Sequence, residues 1–365
     1  MKIKNLATTI VFSLLVFGFS LLCIFHPIAE YSDSERRPLA QFPNISVNSV
    51  LDGTAIKGFD DYSVDQFPFR EQFRKLYMWY RFNINNIGEA NGYAESDGVI
   101  VKIDSELNQV SLDRVVAKFN DIYEKLLKDK ANNVYLSVIP DKNYFYSKIH
   151  GNPALDYEKF VAFLTENLSE MEYIDIFDTL ELDDYYKTDT HWSQDKILAV
   201  RDKIAAALGV SDSMSEDYTV NSLENFSGVL LSQSLIDVPK DTIHYLTNDV
   251  LDGCTVTDYE RGKTLGIYDL AKYDSKEPYD IFLSGTKSLL RIDNPAAKEK
   301  KEIVIFRDSF GSSLIPLLAE GYSSIYIVDI RYVASGLLGN MIDFENKDVL
   351  FIYSTLILNS NPDFK

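Results

Sequence analysis

Lys301-Glu-Ile-Val-Ile-Phe-Arg-Asp-Ser-Phe-Gly-Ser-Ser-Leu-Ile-Pro-Leu-Leu318 reads as a buried strand, a sharp turn carrying Asp308-Ser309, and a helix opening at Ser312 or Ser313. The β-branched run Ile303-Val304-Ile305 suits a parallel strand covered on both faces, which places the turn at the carboxyl edge of a sheet. A serine in such a turn faces the amino terminus of the next helix, whose free N–H groups can stabilise an oxyanion. Taken alone, the segment is read more simply as a strand-to-helix corner whose Asp and Ser cap the helix.

Working outward, the same alternation recurs. Ser111 is placed to cap a helix with Val115, Phe119, Ile122, Tyr123 and Leu126 on one face, and Val134 to Ile139 follows as a buried strand. A helix over about Leu155 to Leu168 leads to strand-like Tyr173 to Phe177, and Ser193 is placed to cap a helix that Gly209 ends. After 303–306 come a helix at 313–320, a strand at Ser324 to Asp329 and another at Val349 to Tyr353. Alternating strands and helices imply an α/β domain with a parallel sheet. Residues 211–300 break the rhythm with short Tyr-, Thr- and Asp-rich pieces and read as an insertion of hairpins and loops.

Ahead of this domain, Leu6 to Phe25 carries no charged side chain and is long enough to span a bilayer as a helix, with Lys2 and Lys4 before it. Positive residues on that side predict a short cytoplasmic tip and everything from about Glu30 outside. A cleaved signal peptide is the competing reading. The run is longer than a usual h-region and no A-x-A-like site follows, which favours a retained anchor. The expected organisation is a tip and transmembrane anchor at 1–26, an extended linker at 27–54 carrying Pro27, Pro38 and Pro43, and a catalytic domain at 55–365 containing the 211–300 insertion. Ala55 to Asn86 reads as helical, interrupted at Phe67-Pro68-Phe69.

With 365 residues, 46% of them hydrophobic, the chain has enough apolar material for one large core or two modest ones. A net charge of −19 argues against nucleic acid, since phosphate binding needs clustered Lys and Arg. The 23 Tyr and 22 Phe permit stacking on carbohydrate, although rings more often fill a core. Only Cys254 lies outside the apolar segment, so no intramolecular disulfide is available to the external part. No metal or nucleotide motif occurs in the sequence, and no cofactor is expected.

A second stretch, Tyr185-Tyr-Lys-Thr-Asp-Thr-His-Trp-Ser193, changes the reading of Ser309. A serine hydroxyl becomes a nucleophile when an imidazole takes its proton and a carboxylate fixes the imidazole tautomer. His191 and Asp189 supply those groups from one loop, whereas His26, His150 and His244 lack a neighbouring Asp and Trp. The alternative is a packing histidine set against Trp192.

Asp189-Thr190-His191-Trp192 and the Asp308-Ser309 turn resemble the DHHW proteins and the related alginate O-acetyltransferases of AlgX and AlgJ type. Ser34-Glu-Arg-Arg-Pro-Leu-Ala-Gln-Phe-Pro43, Asp65-Gln-Phe-Pro-Phe-Arg70, Ile139-Pro-Asp-Lys142 and Val328-Asp-Ile-Arg331 carry the resemblance through most of the external region. It implies a circularly permuted SGNH-hydrolase-like three-layer sandwich, with Asp189 and His191 preceding Ser309. It further implies a polysaccharide acceptor, an acyl donor, and a multipass membrane O-acyltransferase that passes acyl groups across a bacterial cell membrane. Arg331 and Trp192 become candidates for substrate binding or the oxyanion site. Lys142 reads as structural. Thr190 departs from the family's first His, as in the alginate enzymes, and Arg307-Asp308 from the Gly-Asp of ordinary SGNH enzymes. The SGNH Gly and Asn oxyanion positions have no assignable counterpart, which leaves the Ser309 N–H as the one named donor. An acetylesterase shares every one of these residues, and a non-catalytic glycan-binding protein of the same fold is the remaining alternative.

Overall fold

In the computed structural model the described residues are 2–35, 37–85, 88–360 and 362–365. Arg36 of the Ser34–Pro43 stretch, Asn86 at the end of the expected helical region, and Met1 lie outside them. Helix Lys2–Ser13 continues through Leu14–Gly18 and Phe19–Phe25, so the apolar segment Ile3–Phe25 is a single helical run of 23 residues.

Eight strands form the main sheet: β1 Val134–Ile139, β2 Glu172–Tyr173, β3 Thr255–Asp258, β4 Lys263–Leu265, β5 Leu289–Asp293, β6 Glu302–Arg307, β7 Ser324–Val328 and β8 Asp348–Ser354. Their order is β4-β3-β5-β7-β6-β8-β1-β2. The run β7-β6-β8-β1-β2 is parallel, while β5, β3 and β4 add on antiparallel. β1 and β8 are buried along their whole length, as expected of parallel strands covered on both faces.

Alternation along β6 sorts its side chains between two layers. Ile303 and Ile305 pack with Leu314, Ile315, Leu317 and Leu318 of helix Gly311–Leu318 and with Val200 and Ile204 of helix Leu198–Ala207. Val304 and Phe306 face Leu112, Val115 and Phe119 of helix Gln109–Ile122 and Phe160 and Leu164 of helix Tyr157–Asn167. The result is an α/β three-layer arrangement with a large, mostly parallel sheet.

Several local expectations shift. Asn108, not Ser111, caps the helix from Gln109, accepting from the Ser111 N–H at 3.1 Å, while Ser111 Oγ donates to the Leu358 carbonyl. Ser193 precedes a short 3₁₀ turn, Gln194–Lys196, and its hydroxyl donates to Asp195, so the α-helix opens only at Leu198. The strand expected over 173–177 pairs only at Glu172–Tyr173. Within 211–300 there is a hairpin, Thr219–Phe226 with Asp241–Thr247, but that segment also supplies the antiparallel strands β3, β4 and β5. No short-range pattern distinguishes a strand joining a distant sheet from one pairing in a local hairpin. Cys254 is buried, and burial pushes its thiol up to about 11, which leaves it a packing residue.

The chain divides into two compact units: residues up to Asn91 with Leu231–Asp237, and Gly92–Leu230 with Val238–Lys365. The sheet belongs to the second. In the first, Arg37 makes a bidentate pair with Asp65 at 2.6 and 2.7 Å, and Asp65 also accepts from the Ala40 N–H. Arg70 and Arg74 both reach Glu35. The Ser34–Pro43 and Asp65–Arg70 stretches therefore hold one another, and the Arg37 contact keeps Asp65 down at about 2.

Candidate active site

Ser309 follows β6 at the carboxyl edge of the parallel strands, where α/β sheets collect their functional groups. The corner is fixed by Asp308. Its Oδ2 accepts from the Ser354 N–H and hydroxyl at 2.7 and 2.6 Å, across to the end of β8, and its Oδ1 accepts from the Phe310 N–H at 3.0 Å. With its carboxylate so occupied, Asp308 belongs to the frame of the turn. The helix opens at Gly311, where a β-carbon would stand 2.9 Å from that of Arg307.

Asp189 and His191 sit in a loop closed by an antiparallel bridge between Tyr185 and Trp192 and by the Tyr186 N–H donating to the His191 carbonyl. Three further groups shape this loop. The buried Lys142 ammonium donates to the carbonyls of Tyr186, Lys187 and Asp189 at 2.8, 3.1 and 2.8 Å. Asp241 accepts from the N–H groups of Lys187 and Thr188 and from the Thr188 hydroxyl. Gly228 lies so close that a β-carbon there would meet the Thr188 carbonyl oxygen at 2.3 Å and the Asp189 β-carbon at 2.6 Å. Its neighbour Val229 donates its N–H to Asp189 Oδ2 at 2.7 Å.

These constraints aim a relay across 118 residues of sequence. Asp189 Oδ1 is 2.6 Å from His191 Nδ1, and His191 Nε2 is 2.8 Å from Ser309 Oγ. Burial alone would raise the Asp189 carboxyl, but the charge and hydrogen bond of His191 and the N–H groups of Val229 and His191 hold it well below the usual carboxylate range. An ionised carboxylate only accepts, so Nδ1 carries a proton and, in neutral His191, Nε2 is left to accept from the serine hydroxyl. The Ser309 N–H has no protein partner among the described residues and is free to serve as an oxyanion donor.

The imidazole is held by rings. Tyr279 stacks on it at 3.8 Å and 7°, and the Phe310 ring lies 4.8 Å away. Tyr279 donates its hydroxyl to Ser313 Oγ at 2.8 Å, and burial pushes its phenol well above the ordinary value. Trp192 is fully buried, and its indole N–H reaches Ser313 Oγ and the Phe310 carbonyl. That position gives it a packing role next to the site and no open face for a substrate. Arg331 is paired bidentately with the buried Asp329 at 2.8 and 2.6 Å, so two of its three guanidinium nitrogens are engaged.

Gly228, Asp241 and Tyr279 were not singled out in the sequence. The first two lie some 40 and 50 residues from the loop they support, and Tyr279 comes from the irregular 211–300 segment. Only Lys142 carried a local signal, as the end of Ile139-Pro-Asp-Lys142. Burial pulls its ammonium down to about 7, the charges of Asp189 and Asp241 opposing the shift, and the side chain supports the Asp189–His191 loop.

Residues 179–328 match the family model described as DHHW protein. No curated protein matches the sequence. Among solved structures, a DHHW family protein from Eubacterium siraeum aligns with a TM-score of 0.60 at 20% identity, covering 74% of this chain and 93% of that one. Bacillus cereus PatB1, in a structure with a sulfonyl adduct, aligns with a TM-score of 0.57 at 19% identity over 73% of this chain and 96% of its own. The O-acetyltransferase domain of Pseudomonas putida AlgJ aligns with a TM-score of 0.46 at 12% identity, covering 74% and 94%. The first two likenesses show a shared fold.

Proposed function

We propose that this chain, DHHW-like over residues 179–328, is a membrane-anchored extracytoplasmic O-acetyltransferase acting on a cell-surface or exported polysaccharide. The observation that carries the reading is the unbroken hydrogen-bonded line from Asp189 through His191 to Ser309. In the first half-reaction Ser309 Oγ attacks the carbonyl of an acetyl donor while His191 Nε2 takes the hydroxyl proton. The Ser309 N–H supports the developing oxyanion, and His191 returns the proton to the departing group, leaving acetyl-Ser309. In the second, His191 takes a proton from an acceptor hydroxyl, which attacks the acetyl carbonyl; the bond to Ser309 Oγ then breaks, and His191 returns the proton to that oxygen. Asp189 orients the imidazole and stabilises its charged form. The DHHW resemblance is the ground for a sugar acceptor and for a multipass membrane O-acyltransferase as the supplier of acetyl groups. The apolar helix Ile3–Phe25, of which no part is buried, is the proposed anchor.

The test is intact mass spectrometry of the full chain in detergent micelles, incubated with an activated acetyl ester with and without an oligosaccharide. A transferase gains one acetyl group on Ser309 and passes it to the sugar. An acetyl adduct that decays only to acetate makes the protein an esterase. Equal behaviour of wild type and Ser309→Ala removes the catalytic reading and leaves a glycan-binding protein.

A further inference from the structure

The first unit exposes apolar side chains in an ordered way. Along helix Arg70–Trp79 and the turn that continues it, Phe73, Leu76, Tyr77 and Tyr80 are 49%, 58%, 43% and 47% exposed, at spacings of three, four and seven that put them on one face. The preceding helices add Leu51, Ile56 and Phe59 at 81%, 61% and 49%. Scattered apolar residues on a surface need no explanation, but a continuous stripe does.

This stripe joins the proposed anchor. The Phe19 ring lies 5.2 Å from that of Phe67, which in turn lies 5.9 Å from Phe73. Cys23 and Ile24 line one groove with Phe59, Phe73 and Tyr77. Phe19 precedes the helix end at Phe25 by about 9 Å of helical rise. If Phe19 is within the bilayer, whatever packs on it is at membrane depth too. Charge agrees: nine basic and nine acidic residues lie before residue 92, so the whole net charge of −19 resides in the chain from Gly92 onward. A neutral, Tyr- and Trp-bearing segment suits the headgroup boundary, which would repel the acidic remainder if its lipids are anionic.

We propose that residues 47–84 form an interfacial platform, with the Phe73-Leu76-Tyr77-Tyr80 face lying in the bilayer surface beside the transmembrane helix. This rests on the membrane-anchor reading and adds a second, in-plane contact with lipid. The occupant is the acyl and headgroup boundary. A second copy of the chain, or another membrane protein, is the alternative that the test rejects or accepts.

Of the two tryptophans, Trp79 sits about 100° around the helix from the face and Trp192 is fully buried, so comparing the double variant Trp79→Phe/Tyr80→Trp with Trp79→Phe isolates a reporter at position 80, on the face itself. The full chain is reconstituted into phosphatidylcholine–phosphatidylglycerol vesicles whose acyl chains are brominated near the headgroups. The platform predicts a blue-shifted component from position 80 that loses most of its emission to brominated lipid and is insensitive to aqueous iodide. Quenching by iodide, or protection from both quenchers as under a protein partner, overturns it. Alkaline extraction of the same vesicles reports separately on the anchor. Release at high pH rejects the transmembrane reading, while retention with an unquenched reporter at position 80 rejects the platform alone.

Discussion

The two units use their aromatic residues in opposite ways. Around the Asp189–His191 loop Tyr279 and Phe310 are buried against His191 and Trp192 against Phe310, and the Tyr279 hydroxyl and Trp192 indole N–H each meet a named acceptor. In the N-terminal unit Phe73, Tyr77 and Tyr80 stand in the open on a single face. Rings that hold an imidazole in line with a hydroxyl need a dry, fully paired setting, since an unmatched polar group beside them destabilises the fold. Rings that meet an amphipathic boundary need the reverse. One chain thus carries an aromatic cage and an aromatic surface, and mutations separate them by the size of their effects.

The largest effect is expected at the relay. Asp189→Asn keeps the shape but changes the partner that fixes Nδ1–H, and a loss of about 10⁴-fold in kcat is expected with a native circular dichroism spectrum. A near-normal rate would take Asp189 out of the mechanism. Gly228→Ala acts one step further away. Its β-carbon would collide with the Thr188 carbonyl and the Asp189 side chain, and the loop must move by an ångström or so, enough for a loss of about 10²-fold. Acetyl transfer by this variant should fall while membrane retention stays intact.

Lys142→Met tests support more than chemistry. Removing the ammonium leaves three carbonyls without their donor, so a destabilisation of about 2 kcal/mol is expected in denaturant midpoints. Its pH signature has a definite sign. The folded value of about 7 lies below the ordinary lysine value, so between the two the unfolded chain binds more protons and this residue makes the fold more stable as pH rises. The variant should lose that slope. At the small end, Leu76→Gln on the exposed face of the other unit should change stability in detergent by no more than about 0.5 kcal/mol. A large loss there would show that the stripe is covered by protein, and the contrast between the units would collapse.

Legibility in the sequence divides along the same line. The relay was legible because Asp189 and His191 fall within one short loop and Ser309 on a strand-turn-helix corner, patterns that survive without tertiary information. The parallel core was legible in runs such as Ile303-Val304-Ile305. Gly228, Asp241 and Tyr279 were not, because each reaches the loop through tertiary packing from a segment with no periodicity. The antiparallel strands β3 to β5 were hidden for the same reason. Trp192 stood out beside His191 as a substrate contact, yet its burial depends on Ser313 and Phe310, far along the chain. The exposed stripe on Arg70–Trp79 has the spacing of an ordinary core-facing helix, and sequence gives no sign that its apolar face is left uncovered in the unit.

The 118-residue separation between His191 and Ser309 has a kinetic consequence. Asp189 and His191 can meet as soon as their loop forms, since only one residue lies between them. Ser309 joins them only after a long loop has closed and β6 has paired between β7 and β8. A partly folded chain would therefore hold an Asp189–His191 pair with no hydroxyl to meet it, and the proposed acyl transfer would begin only when the centre of the sheet is complete.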